Sequence, residues 1–268
     1  MTKTLLENIN AVPALPESIQ EVERIYQDED STFEDMQKAI EKDPLLTADI
    51  LRIVNSPMYG VKSTVTSVKQ AISLLGKEAV RTFVLSSAAN SFTIDLSPYN
   101  MTNEQFSLAC DRQLALMVNW IIRRKPKHLA KLGPASFLVD LGRVIIAKTL
   151  IEDGKAGDIQ SALSSGKDDI AKAEKAACGA QTTDVTATLF HNWNFDPDII
   201  HIIRYSDDPE GTIEEDREMA AELKAVRETV MPNGEITDES IATAKDTIEE
   251  FGLDLQSYEN ALEKVLNS

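Results

Sequence analysis

The chain has 268 residues, 43% hydrophobic and 26% charged, the mix of a globular protein long enough to bury a core without a disulfide or metal. Its 27 Lys and Arg against 44 Asp and Glu give a formal charge of −17. That field repels phosphate backbones and anionic lipid, so it argues against a nucleic-acid or membrane-surface role. Cys110 and Cys178 are the only cysteines and no CxxC occurs, which excludes a disulfide framework and a zinc ribbon. No apolar run approaches the ~18 residues of a membrane span. The N-terminus lacks a signal-peptide pattern, so the expected location is the cytoplasm.

In chain order, Leu15, Ile19, Val22, Ile25 and Tyr26 form one helical stripe. Ser31 with Glu34 reads as a capping box ahead of Phe33, Met36, Ala39 and Ile40. Asp43-Pro44 is a strong start, an N-cap followed by proline at the first helical position, and Leu46 to Val54 carry that helix to about Asn55. The segment Ser56-Pro57-Met58-Tyr59-Gly60 stops it, and the β-branched run 61–65 is too short to define a sheet. Ser67 with Gln70 caps the next helix, which Gly76 breaks before Val80, Phe83, Val84 and Leu85 resume the pattern. Thr102 with Gln105 opens a helix through Trp120 and Ile121. Residues 135–151 read as a single, nearly all-apolar helix buried at the centre. Helices at about 169–178 and 183–193 follow, then one opened by Asp196-Pro197. Beyond Gly211 the composition is more polar: Thr212 with Glu215 caps a helix to about Val230, Pro232-Asn233-Gly234 is a loop, and helices fit 238–251 and 255–266. The fold class expected is all-α.

Three histidines, His128, His191 and His201, show no HExxH or i,i+4 spacing and read as surface or satisfied helix residues. Phosphate loops and a GxSxG elbow are absent. Asp140, in Val139-Asp140-Leu141-Gly142-Arg143, places a carboxylate inside the most apolar segment. It must pair, protonate or bind a cation there; a salt bridge with Arg143 is favoured over a metal. The run Arg123-Arg124-Lys125, continued by Lys127, His128 and Lys131, is the one dense basic cluster. It reads either as cations complementing a helix C-terminus or as a docking patch for an acidic partner or a nucleotide phosphate. Trp120, Trp193 and Phe195 read as core rather than base-stacking platforms.

Several short motifs occur in one order and spacing: Val12-Pro13-Ala14-Leu15-Pro16; Asp43-Pro44-Leu45-Leu46-Thr47; Leu51-Arg52-Ile53-Val54-Asn55-Ser56; and Gln70-Ala71-Ile72-Ser73-Leu74-Leu75-Gly76 with Val80-Arg81. Over 12–81 the chain resembles the HDOD family, the HD-related output domains of bacterial signalling proteins, and the likeness continues more loosely to about 210. The resemblance implies an all-helical HD-like bundle in which Pro13, Leu15, Pro16, Asp43, Pro44, Asn55, Ser56 and Gly76 are structural. It divides the chain into an extension at 1–11, an HDOD domain at 12–210 and a C-terminal helical segment at 211–268, packed on the core. It is distantly related to HD phosphohydrolases, whose metals are held by histidines and an His-Asp pair. Here that pair reads Val139-Asp140, Thr182 stands where relatives carry a histidine, Arg204-Tyr205-Ser206-Asp207 replaces an Arg-Tyr-His-His segment, and 103–124 has no histidine. Asp140 is the vestigial position, with Asp207 the one other carboxylate that could join it.

The resulting expectation is a non-catalytic bacterial signalling module without catalytic residues, metal or cofactor. It would act through signalling proteins supplied in trans, with a small-molecule ligand as a further option and neither nucleic acid nor membrane as partner. The alternatives are a residual metal-dependent phosphohydrolase of the HD type and a nucleotide-sensing module using Arg123, Arg124 and Lys125.

Overall fold

The computed structural model of the chain describes residues 1–59, 61, 64–87, 95–163 and 167–267. Among these the regular structure is helical, with no strand, as the periodicity predicts. Gly60 and the Lys62-Ser63 part of the 61–65 run lie outside the described residues. The chain divides into two compact units.

One unit comprises Leu15–Phe92, Leu114–Pro134 and Asp254–Ser268. It holds α2 (Glu17–Gln27), α3 (Phe33–Glu41), α4 (Pro44–Val54), α5 (Val68–Ser87), parts of α6 (Asn103–Ile121) and α7 (Pro126–Leu138), and α15 (Leu255–Leu266). The motif residues are the joints of this unit. Asp43 Oδ1 accepts from the backbone N–H groups of Leu45 and Leu46 at 3.0 and 3.1 Å, capping α4 as expected. At the other end of α4, the Asn55 amide donates to the carbonyls of Leu51 (2.7 Å) and Val65 (2.8 Å), and its oxygen accepts from Val65 N–H at 2.8 Å. One side chain thus closes the helix and pins the connection to α5. Gly76 takes φ +87°, a conformation costly for any residue with a Cβ, and kinks α5 where the sequence predicts a break. Beyond the kink Arg81, 2% exposed, donates to both carboxylate oxygens of Glu23 at 2.7 Å and to the Ala130 carbonyl at 2.8 Å. The capping box of α3 is formed by Thr32 and Asp35 rather than by Ser31 and Glu34. The register slips by one because the Ser31 hydroxyl donates instead to the Ile25 carbonyl.

The other unit comprises Met1–Ala14, Thr93–Gln113 and Ala135–Leu253. It holds α1 (Lys3–Asn10), the first part of α6, the end of α7, α8 (Leu141–Glu152), α9 (Ala156–Leu163), α10 (Lys167–Cys178), α11 (Thr182–Asn192), α12 (Pro197–Tyr205), α13 (Glu214–Thr229) and α14 (Asp238–Glu250). Helix α8 is its centre, with α1, α10 and α11 packed on it and residues of every face buried. The 135–151 segment is therefore buried, but it is two helices: α7 ends at Leu138 and α8 starts at Leu141. The break is held by α11. The Thr186 hydroxyl donates to the Val139 carbonyl at 2.7 Å and accepts from Gly142 N–H at 2.8 Å, satisfying backbone groups the broken helix leaves over. Asp140 thus lies in an interhelical turn and not within a helix. Near the C-terminal end of this unit α13 begins at Glu214 without a side-chain cap, because the Thr212 hydroxyl lies 3.2 Å from His201 Nδ1 rather than over the helix start.

Candidate functional site: a carboxylate pair held by arginines

The turn between α7 and α8 delivers Asp140 to the interior, 4% exposed. Its Oδ2 accepts from Gln113 Nε2 at 2.9 Å. Its Oδ1 faces two guanidinium groups, Arg143 Nη2 at 3.3 Å and Arg227 Nη2 at 3.5 Å. Arg143 is the partner the i,i+3 spacing predicts. Arg227 comes from α13, and its other terminal nitrogen, Nη1, is paired with Asp207 Oδ1 just past α12. Asp207 Oδ2 accepts from the Thr183 hydroxyl at 2.7 Å and from Gln181 Nε2 at 3.0 Å, both at the start of α11. One guanidinium therefore spans the two carboxylates singled out in the sequence.

The electrostatics follow from that bridge. Burial alone would raise the Asp207 carboxyl, but the Arg227 charge and the hydrogen bonds from Thr183 and Arg227 outweigh it and hold the group below the usual carboxylate range. Burial works against the charge of Arg227 and Arg143, yet Asp207 and Asp140 beside the first, and Asp140 and Glu174 beside the second, keep both guanidiniums charged more firmly than in water. Glu174 on α10, 1% exposed, is pushed up by burial, against the Arg143 charge and the bonds it accepts from Tyr99 and Thr182. The Tyr99 hydroxyl donates to it at 2.7 Å, the Thr182 hydroxyl at 2.8 Å and Thr182 N–H at 2.7 Å. Tyr99 itself is raised well above a normal phenol by burial and by Glu174. Beside them lies a cavity of about 480 Å³ whose lining includes Arg143, Glu174, Thr182, Asp207, Lys224 and Arg227 but neither Asp140 nor Tyr99.

A divalent metal does not fit this donor set. Val139, fully buried, offers no ligand, Thr182 is committed to Glu174, and the Ser206 hydroxyl donates to the Ile203 carbonyl at 2.9 Å. Both carboxylates already face a fixed cation. Among the described residues no three His, Cys, Asp or Glu side chains converge as ligands. His201 is engaged with Asp216, Nδ1 to Oδ2 at 2.8 Å, His191 is exposed and His128 half-buried. Cys110 and Cys178 are buried thiols pushed up by desolvation, Cys178 to about 11, so neither is a poised nucleophile.

The basic cluster falls in the other unit. Arg123 is exposed, while the Arg124 and Lys125 backbone N–H groups bond the Ile121 carbonyl at 3.0 and 2.8 Å, just beyond the end of α6. The Arg124 guanidinium lies 5.6 Å over the Trp120 ring. Trp120 and Phe195 are buried; Trp193 is half-buried, with Nε1 donating to the Pro13 carbonyl at 3.1 Å. Arg227, Glu174, Tyr99 and Gln113 were not signalled as site residues. Arg227 was legible in principle: it falls one turn beyond Leu223 and two beyond Met219, a charge on the buried stripe of α13.

The HDOD domain profile matches residues 12–209. The chain belongs to the HDOD family. This HDOD chain is similar to a virulence factor of Campylobacter jejuni subsp. jejuni, at 27% identity and a TM-score of 0.61, covering 100% of this chain and 99% of that one. Two further crystal structures share the HDOD fold. A Shewanella amazonensis SB2B protein provisionally named a phosphohydrolase is 22% identical, with a TM-score of 0.70 over 98% and 94% of the two chains. A Marinobacter aquaeolei VT8 protein provisionally named for signal transduction is 20% identical, with a TM-score of 0.66 over 99% of this chain and 59% of that one. At these identities the likeness carries the fold alone. A curated protein of Treponema pallidum (strain Nichols), itself uncharacterised, is 24% identical over 89 residues, and the match spans 17% of that protein's length.

Proposed function

We propose that this HDOD chain is a non-catalytic regulatory module of bacterial signal transduction, acting in the cytoplasm by binding a signalling protein in trans. The reading rests above all on Arg227. A metal-dependent hydrolase must present free carboxylates and imidazoles to its ions. Here the Arg227 guanidinium stands between Asp140 and Asp207 and supplies the positive charge itself. Displacing it would leave a buried arginine without counter-ions, so a metal would have to repay that loss before binding. The signalling role draws on family membership and on the provisional name of the Marinobacter neighbour. The residual-phosphohydrolase alternative draws on the name of the Shewanella neighbour, which shares only the fold. Elemental analysis after incubation with Mn²⁺, Fe²⁺ or Zn²⁺, with turnover of phosphomono- and phosphodiester substrates, separates the two. The module should retain no stoichiometric metal and turn over none of the substrates. Metal-dependent turnover abolished by Asp140→Asn would establish the hydrolase instead.

A further inference from the structure

Helix-end chemistry accounts for only half of the basic cluster at 123–131, which lies wholly within the unit that holds 114–134. Arg123, Arg124 and Lys125 follow the end of α6 at Ile121, where the negative pole of that helix favours cations. Lys127 and His128 occupy the second and third positions of α7, and Lys131 follows one turn later. That end is the positive pole, where acidic side chains stabilise a helix and cations do not, and the first turn of α7 carries no acid. No Asp or Glu occurs anywhere from 112 to 139, on a chain that has 44 of them. The Arg124 guanidinium lies 5.6 Å over the Trp120 ring, and Lys125, His128 and Lys131 are half-buried. Arg123 and Lys127 are exposed, and neither has a side-chain partner among the described residues. Lys127 in particular is a charge from which folding gains nothing, and residues kept against local stability mark function. We propose that the surface centred on Arg123 and Lys127 is where the signalling protein of the proposed function docks, through an acidic segment of that protein. The inference rests on that reading and adds to it the place and the chemistry of the contact.

Charge complementarity favours an acidic protein over other polyanions. All the acids lie outside 112–139, so an extended phosphate backbone or an anionic bilayer that reaches the cluster also meets the field of a chain of net charge −17. A short acidic segment need satisfy this patch alone, since salt screens charges beyond a Debye length of about 8 Å. The cluster also offers no ring on which bases could stack, because Trp120 is buried.

Fluorescence anisotropy on the intact chain tests it, with a labelled Glu-Ala peptide, its Gln-Ala counterpart and a single-stranded RNA as probes, beside co-sedimentation with phosphatidylglycerol vesicles. The Glu-Ala peptide should bind and the Gln-Ala peptide should not, and the affinity should fall as salt rises. Arg123→Glu with Lys127→Glu should weaken the Glu-Ala peptide by about tenfold or more. Lys3→Glu with Lys148→Glu makes the same charge change at exposed lysines of the other unit and should leave most of the affinity. Lys127→Glu alone should melt no lower than the parent, since it puts an acid at the positive pole of α7. The inference is overturned if the Glu-Ala peptide does not bind, if both reversal pairs weaken it equally, if RNA or vesicles bind more tightly, or if Lys127→Glu lowers the melting temperature. A chain that fails these tests yet retains no metal and turns over no phosphate ester loses this docking surface alone. Metal-dependent turnover removes the reading on which the surface rests.

Discussion

Replacing Arg227 by Met removes the bridging cation while keeping most of the buried chain length on α13. Deleting one partner of a fully buried pair costs about 3–5 kcal/mol, because the other charge is stranded. Two features reduce that figure here. The Asp207 side chain is 37% exposed, so water screens it, and Asp140 keeps Arg143 at 3.3 Å and Gln113 at 2.9 Å. A loss of about 2 kcal/mol is expected, which lowers the melting temperature by about 4–8 °C in a protein of this size. The pH dependence is more diagnostic than the size. Asp207 titrates below its ordinary value in the folded protein, so its contribution is fully present above the unfolded pKa and disappears as pH falls through the folded one. The deficit of Arg227→Met should therefore be largest from pH 6 to 8 and shrink below about pH 4, the unfolded carboxylate value. Adding Asp207→Asn should recover part of the loss at neutral pH, since it removes a stranded charge. Urea denaturation of the four proteins across pH 3–8 measures all of this. A deficit independent of pH, or a double variant as unstable as the sum of the singles, would refute the bridge as an electrostatic element.

Three further outcomes follow from particular contacts. Asn55→Ala removes two hydrogen bonds to Val65 before α5 and one to the Leu51 carbonyl within α4 and should cost about 1–2 kcal/mol, read by denaturant midpoint; an unchanged midpoint with partner binding lost would make Asn55 a recognition residue instead. Gly142→Ala would set a Cβ 2.3 Å from the Thr182 carbonyl oxygen and 2.8 Å from Thr186 N, backbone atoms that cannot swing aside, so a loss of about 3 kcal/mol or an insoluble product is expected, and a near-native melting curve contradicts the close approach of α8 and α11. Glu174→Gln loses the carboxylate that accepts from Tyr99 and Thr182 and is destabilised overall, but the gap from the parent should narrow as pH rises above the ordinary carboxylate range, because a group raised by burial loses its stabilising share as pH climbs through its folded value; a gap that stays flat or widens refutes a raised Glu174.

How much of this was readable in advance depends on the range of the cause. Asp43, Asn55 and Gly76 act on backbone within a few residues or at a single φ, so local chemistry predicts their roles. The box at Thr32 shows the limit of such reading: Ser31 is by itself the better cap, but its hydroxyl goes to the carbonyl of Ile25 and leaves Thr32 to cap α3. The break at Val139-Asp140 was not readable, since its apolar flanks carry no Pro or capping pattern and the interruption is stabilised by Thr186, 47 residues away. The site divides the same way. Arg143, three residues from Asp140, is the partner that helical spacing predicts; Arg227 is 87 residues away, and pairing across such a separation leaves no periodic trace.

The position of Arg227 also bears on how this chain can be handled in pieces. The matched domain ends at residue 209, whereas α13 begins at Glu214. A fragment trimmed to the domain boundary would carry Asp140, Asp207 and Arg143 but leave behind the guanidinium that bridges the two carboxylates. Such a fragment would be more acidic at its centre than the intact protein and more receptive to added cations. Any metal affinity or esterase activity measured on it would have to be checked against the intact chain, in which Arg227 faces both carboxylates. Residues 210–253 belong to the same compact unit as the site, so biochemical comparison among relatives needs this stretch retained before a metal response is assigned to the domain.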